Sequence, residues 1–477
     1  MVFTSHIFLF YFLPLVLLLY YLLPVRRNLI LLPLNYVFYA WWEPWFVLLM
    51  LFNTVVNYVC GWVIASSPPG HPKRTIALSV AVVSGLGLLG FFKYVMFLEV
   101  NVNRLLALFG ASALPVLHVA LPVGISFYTF AGLTYPVDLY RGVCAPARSF
   151  WDYACFVSMF PQIMAGPIVR YHTIAEQLVR RGSPGDSLAH RFAGGLERFS
   201  SGAALFMLGF TKKVLLANEV GKVADAVFGA AAPGVPDAWF GVTAFAFQLY
   251  FDFSGYSDMA IGLARMLGFE IARNFDAPYL AESITDFWRR WHISLSTFFR
   301  EYLYIPLGGN RKGARRTYVN LWTVMLLCGL WHGANWTFVF WGAYHGVFLV
   351  AERWTGRRSL YPNLPRPLRV VLTFLIVLVG WVFFRAPTFP DGLRYLGAMV
   401  GLHGLAGGSV LLGAEIYTVG HLVEMGLCAV LSFVSLQAFD WSEQLTWPKV
   451  VLVVPLFVLA VVTMFTQAFS PFLYFQF

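Results

Sequence analysis

Apolar runs of membrane-crossing length recur from one end of this chain to the other. They lie near residues 6–24, 28–42, 46–66, 76–97, 104–119, 121–139, 203–228, 237–251, 256–269, 317–331, 335–352, 368–386, 409–436 and 449–475. A helix needs about 20 apolar residues to cross the hydrocarbon core. Some of these runs are too short to cross alone, and others are long enough to contain a break. Charged residues make up 12% of the 477 positions, roughly half the share of an ordinary soluble domain. The short alternating segments of a membrane β-barrel are absent. The pattern predicts an all-α polytopic membrane protein with roughly 11–14 membrane helices and re-entrant segments.

The net charge is +10, yet nucleic acid is not an expected partner. The basic residues gather in short loops: Arg26–Arg27, Lys73–Arg74, Arg170 to Arg181, Arg311 to Arg316, and Arg353 to Arg369. That is the positive-inside pattern of cytoplasmic loops, so lipid and topology account for the charge. The apolar stretch His6 to Pro24 has no basic segment before it and no small-residue cleavage site after it. It reads as a retained first span with the N-terminus outside. Cys60, Cys144, Cys155, Cys328 and Cys428 are scattered, with no metal spacing and no disulfide framework. No metal is expected.

Two stretches are more polar, 140–202 and 270–316. In the first, Phe160 to Arg170 reads as a segment broken by prolines, and 171–201 as an amphipathic helix on the cytoplasmic face. Lys212 and Lys213 are expected to snorkel to the interface. The second contains Asp286-Phe287-Trp288-Arg289-Arg290-Trp291-His292-Ile293-Ser294-Leu295-Ser296. As a helix it would set Asp286 against Arg289 and Arg290, and put His292 on the face of Trp288 and Ser296. With Arg300 it would offer arginines to phosphate or carboxylate. The alternative is an interfacial helix anchored by Trp and Arg. Before it, Asp252-Phe253-Ser254-Gly255-Tyr256-Ser257-Asp258 interrupts an apolar run, with Gly255 at the break. Its carboxylates suit acid/base work, or a structural pairing with Arg265, Arg289 or Arg290.

The sharpest feature is Gly329-Leu330-Trp331-His332-Gly333-Ala334-Asn335-Trp336. It places an imidazole, able to take and give a proton near neutral pH, between nearly charge-free apolar runs. An ionisable group at membrane depth is a functional hypothesis by default; the alternative is a hydrogen-bonded core histidine. Arginines flank the stretch on both sides. Residues 317–354 would make about 57 Å of straight helix at 1.5 Å per residue, against about 30 Å of hydrocarbon. A hairpin or a sharply broken helix with its tip near Gly329–Asn335 fits both facts and puts His332 deep, away from the cytoplasm. His345, on the ascending arm, is expected to be structural. The remaining histidines, His190 and His403 among them, show no ligand spacing.

Several motifs in order resemble the membrane-bound O-acyltransferase family. They are Asp252 to Gly262, Asn274-Phe275-Asp276-Ala277-Pro278-Tyr279, Phe287 to Ser294, Tyr302 to Arg311, and Trp331 to Trp336. Gly124 to Tyr128 and Gln162 to Ile168 extend the likeness to most of the chain. It is strongest toward the bacterial branch that O-acetylates alginate. The resemblance implies one membrane domain over 1–477, with a catalytic core at 237–355. It implies a ring of helices around a central funnel, with His332 as the essential histidine and His292 as the second. It also implies acetyl-CoA as the cytoplasmic donor and an acceptor hydroxyl approaching from outside, in the inner membrane. Asp252 and Asp258 join the candidate binding residues. Asn335, Trp331 and His292 are the candidate oxyanion donors, and Arg289, Arg290 and Arg300 the candidates for the phosphates of CoA. Expected partners are membrane lipids, an exported polysaccharide such as alginate, and a periplasmic or membrane-anchored acetyl-acceptor protein. Peptidoglycan and cellulose are alternative acceptors. A transporter or a non-catalytic scaffold of an export complex is the alternative class.

Overall fold

The computed structural model describes residues 1–23, 27–180, 195–356, 359–402, 409–467 and 472–473. Arg26, Arg181, His190 and His403, named above, lie outside the described residues, as do 357–358 of the Arg353 to Arg369 loop and 181–194 of the expected amphipathic helix. Among the described residues the regular elements are all helical. Five helices are long and apolar enough to cross a membrane: Phe46–Ser66, Pro72–Leu108, Leu196–Gly229, Arg366–Arg385 and Trp447–Thr466. The pair Val410–Ile416 and Val419–Ser432, bent by 57°, adds a sixth if it is one span. Most other apolar runs form shorter or more polar helices, but the expected run 104–119 leaves helical geometry after Leu108. The chain is a polytopic helical membrane protein.

Two compact units emerge. The first comprises Met1–Ala203 with Ala260–Ala272. It holds α1 (Leu13–Leu22), α2 (Arg27–Ala40), α3 (Phe46–Ser66), α4 (Pro72–Leu108), α5 (Ile125–Arg141), α6 (Phe150–Ser158), α7 (Phe160–Ile163) and α8 (Tyr171–Arg180). On α3 the buried positions Met50, Asn53, Asn57, Cys60, Gly61 and Ile64 recur at helical spacing. The face they make is small and polar. Lipid offers no hydrophobic drive between helices, so close packing and hydrogen bonds must join them. Asn53 donates to the Tyr128 carbonyl of α5 at 3.4 Å. Arg74, one of the loop cations, donates to the Ile64 and Ser67 carbonyls at 2.8 and 3.1 Å. It also donates to the Leu139 and Tyr140 carbonyls at 3.2 and 3.1 Å. One guanidinium thus satisfies the orphan C-terminal carbonyls of two helices. After α7 the chain leaves helical geometry until Tyr171, where the prolines predicted a break.

The second unit comprises Ala204–Met259 with Arg273–Phe477. In chain order the helices continue as α9 (Leu196–Thr211), α10 (Asn218–Gly229), α11 (Val235–Met266), α12 (Ile284–Arg290), α13 (Ile293–Phe299), α14 (Gly313–His332), α15 (Trp336–Trp354), α16 (Arg366–Arg385), α17 (Phe389–Met399), α18 (Val410–Ile416), α19 (Val419–Ser432), α20 (Ala438–Glu443) and α21 (Trp447–Thr466). Gly255 does not break its segment, since α11 runs through it. A Cβ there would come within 2.7 Å of the Gly209 carbonyl, and a Cβ on Gly209 within 2.4 Å of the Gly255 carbonyl. The glycine is needed for backbone contact.

That contact brings a wide π-helical turn, Lys212–Ala217, against α11. Lys212 pairs with Asp258 at 2.7 Å, and Lys213 with Asp252. Lys213 is buried, and so does not snorkel. Asp252 also accepts from the Leu473 N–H at 2.8 Å. Arg265, a candidate partner for these acids, donates to Ser201 at 3.1 Å within the first unit.

Candidate active site

His332 is the last residue of α14, and α15 begins at Trp336. The two helices pack against each other as a hairpin with its turn at Gly333–Asn335. A Cβ on Gly329 would meet the Phe338 carbonyl at 2.2 Å, and one on Gly342 the Met325 carbonyl at 2.3 Å. Only glycines let the arms touch backbone to backbone. The His332 ring is 4% exposed and boxed by aromatics. Its centroid lies 4.9 Å from Trp331, 5.0 Å from Trp341 and 5.2 Å from Phe384.

His292 arrives differently. The stretch 284–299 is not one helix: α12 ends at Arg290 and α13 starts at Ile293, with His292 between them at φ 44°. Left-handed backbone is uncommon for a residue with a Cβ. The Asn274 carbonyl accepts the Ile293 N–H at 2.9 Å, and the Arg290 carbonyl accepts the Asp276 N–H at 3.0 Å. This break turns His292 away from the face of Trp288 and Ser296. Its ring packs edge-on to Phe253, centroids 4.6 Å apart, and lies 6.0 Å from Trp331. The indole of Trp331 therefore contacts both imidazoles. Burial pushes the His292 pKa down to about 3, which favours the neutral ring.

A cavity of about 450 Å³ opens beside these residues. Its walls include Thr285, Trp288, Arg289, Leu295, Arg300, Met325 and Cys328. Arg289 and Arg300 are exposed, whereas Met325 and Cys328 are buried. Cys328 stands one helical turn before His332. The imidazole itself does not line the cavity. A run of ring contacts links the two: Trp288 lies 5.6 Å from Trp341, and Trp341 lies 5.0 Å from His332.

The other sequence candidates separate. Arg290 is tied to Asp286 at 3.0 Å and to the Asp276 carbonyl at 3.3 Å, and it is not among the cavity-lining residues. Asn335 caps α15 by accepting the Thr337 N–H at 3.2 Å, and its amide donates to the Pro387 carbonyl at 2.9 Å. Its role here is to fix the hairpin tip. Asp252 and Asp258 are held in their lysine pairs. His345 is fully buried among Phe287, Trp288 and Trp341.

Glu352 escaped the sequence reading, and Asn274 entered it only as part of a motif, with no role assigned. Glu352, 1% exposed near the end of α15, accepts the Ile284 and Thr285 N–H groups at 2.9 Å each and so holds the start of α12. A lone acid in an apolar run was the available signal. Asn274 accepts hydrogen bonds from Ser294 and meets His292. Its place at the head of the Asn274–Tyr279 motif was the available signal.

A buried imidazole pair beside a cavity rimmed with arginine, in a polytopic helical protein, is an arrangement suited to acyl transfer at membrane depth. The model of the membrane-bound O-acyltransferase family matches residues 147–386. The chain is 42% identical over its full length, and that of the relative, to the probable alginate O-acetylase AlgI of Azotobacter vinelandii. It is 37% identical to the peptidoglycan O-acetyltransferase of Helicobacter pylori, over 85% of this chain and 81% of the relative. Against the teichoic acid D-alanyltransferase of Bacillus subtilis, identity is 26% over 56% and 69% of the two chains. The chain belongs to the membrane-bound O-acyltransferase family and is an O-acyltransferase.

Proposed function

We propose that this enzyme takes acetyl from cytoplasmic acetyl-CoA and delivers it to a hydroxyl on the outer side of the bacterial inner membrane. The destination is an exported polysaccharide, alginate being favoured by the relatives' names. Delivery is direct or through a periplasmic or membrane-anchored partner. One observation carries the reading: the cavity has two exposed arginines among its walls and reaches Cys328, one turn short of His332. Arg289 and Arg300 meet the phosphates of CoA, and the pantetheine arm follows the apolar wall. The basic residues at the start of α14 support a cytoplasmic position for this mouth. The thioester end passes Trp288 and Trp341 to reach His332.

His332 removes the proton from the attacking hydroxyl as oxygen bonds to the thioester carbon. The Trp331 indole N–H is the candidate donor to the oxyanion. The C–S bond then breaks, and the CoA thiolate takes the proton from the imidazolium. Purified protein in nanodiscs with labelled acetyl-CoA and a uronate oligosaccharide tests this. Acetyl ester forms with the wild type and falls by about 10²–10⁴-fold in His332→Ala. Full transfer in that variant defeats the reading. The Helicobacter relative supports a second acceptor, and label entering peptidoglycan fragments but not uronate oligomers would assign it.

A further inference from the structure

A neutral imidazole carries one proton, and the nitrogen that holds it decides whether Nε2 donates or accepts. At His292 the neighbours decide. The Ser294 backbone N–H points at the side-chain amide of Asn274, 3.1 Å away. A backbone N–H only donates, so the amide atom facing it is the oxygen. The NH2 end then turns to Ser257 Oγ at 3.1 Å. The same oxygen lies 3.2 Å from His292 Nδ1. Two lone pairs at that distance repel, and a proton between them makes the contact attractive. The proton therefore sits on Nδ1, and Nε2 carries the lone pair. The Nε2 atom is buried, and no described residue donates to it. Buried polar atoms are nearly always satisfied, and an O–H or N–H group of a substrate would satisfy this one. Backbone held in a sparsely populated conformation, as at His292, fits a functional site.

We infer that Asn274 is a positioning residue that locks His292 in the Nδ1–H tautomer, so that Nε2 accepts a hydrogen bond from an O–H or N–H group of a substrate. His292 is thereby removed from the candidates for oxyanion donor. This rests on the proposed function in placing His292 at the reaction centre. The donating group is a hydroxyl of the acceptor or an amide N–H of the pantetheine arm.

Solid-state ¹⁵N spectra of protein with ring-labelled histidine in nanodiscs, differenced against His292→Gln, read the tautomer without turnover. Failure of acetyl transfer therefore leaves this measurement intact. The wild type shows a protonated Nδ1 and a bare Nε2; a proton on Nε2 overturns the inference. A thioether analogue of acetyl-CoA or a uronate oligosaccharide, added separately, shifts the Nε2 resonance, and whichever does so names the source. No shift with either overturns the acceptor role. Asn274→Ala admits the Nε2–H form and lowers kcat by about 10²-fold with KM nearly unchanged. Asn274→Asp keeps the acceptor oxygen, the Nδ1–H signal and activity within about tenfold, and it serves if the alanine variant does not accumulate. Equal loss in both variants with the wild-type spectrum retained overturns the inference.

Discussion

Asp252–Asp258 and Trp331–Asn335 look alike as sequence, each a polar interruption in apolar surroundings. In the folded chain they are opposites. The two aspartates of α11 meet two successive lysines, and Asp252 accepts a further backbone N–H. Each charge there has its counter-charge, and the segment behaves as a staple. His332 is boxed by aromatic rings, one helical turn from a cavity wall. The acids are held by ion pairs, whereas the imidazole is held among aromatic rings.

Five substitutions, one of them in a double variant, test that comparison. The largest effect is on chemistry without loss of fold. His332→Ala loses about 10²–10⁴-fold in transfer rate while the amount of protein in the membrane and its thermal midpoint stay at wild-type levels. Next, Lys213→Met strands the Asp252 carboxylate and destabilises by about 3–5 kcal/mol, measured as denaturant or thermal unfolding in detergent. The double variant Lys213→Met with Asp252→Leu recovers much of that loss and keeps specific activity, which a catalytic Asp252 would not allow. Cys328→Trp fills the inner cavity and raises KM for acetyl-CoA by about tenfold or more; an unchanged KM would put the donor elsewhere. Smallest is Asn335→Ala, which removes a helix cap for about 1 kcal/mol and leaves kcat within a few-fold of wild type.

Much of the fold was legible because the bilayer restricts the choices. Apolar run lengths and loop cations forecast a polytopic helical chain, and the flanking arginines forecast the hairpin around His332. The Asp286–Ser296 stretch, considered above as a helix, is broken, and its helical residues carry no mark of the turn at His292. That turn is imposed by Asn274, 18 positions earlier in the chain. Likewise, Gly255 looked like a break because a glycine required by another backbone has the same signature as one that ends a helix. Asp252 and Asp258 could be paired from sequence only with some cation. The choice of Lys212 and Lys213 depends on the Gly209–Gly255 contact, which is tertiary.

The fused arms of α14 and α15 have a mechanical consequence. With backbone resting on backbone at Gly329 and Gly342, the splint bearing His332 has no soft joint along its length. Adjustment to incoming molecules falls to the side chains around it, the Trp288 and Trp341 rings first. In the proposed mechanism the reactants are brought to the imidazole by rotation of those rings, and the imidazole does not travel to them.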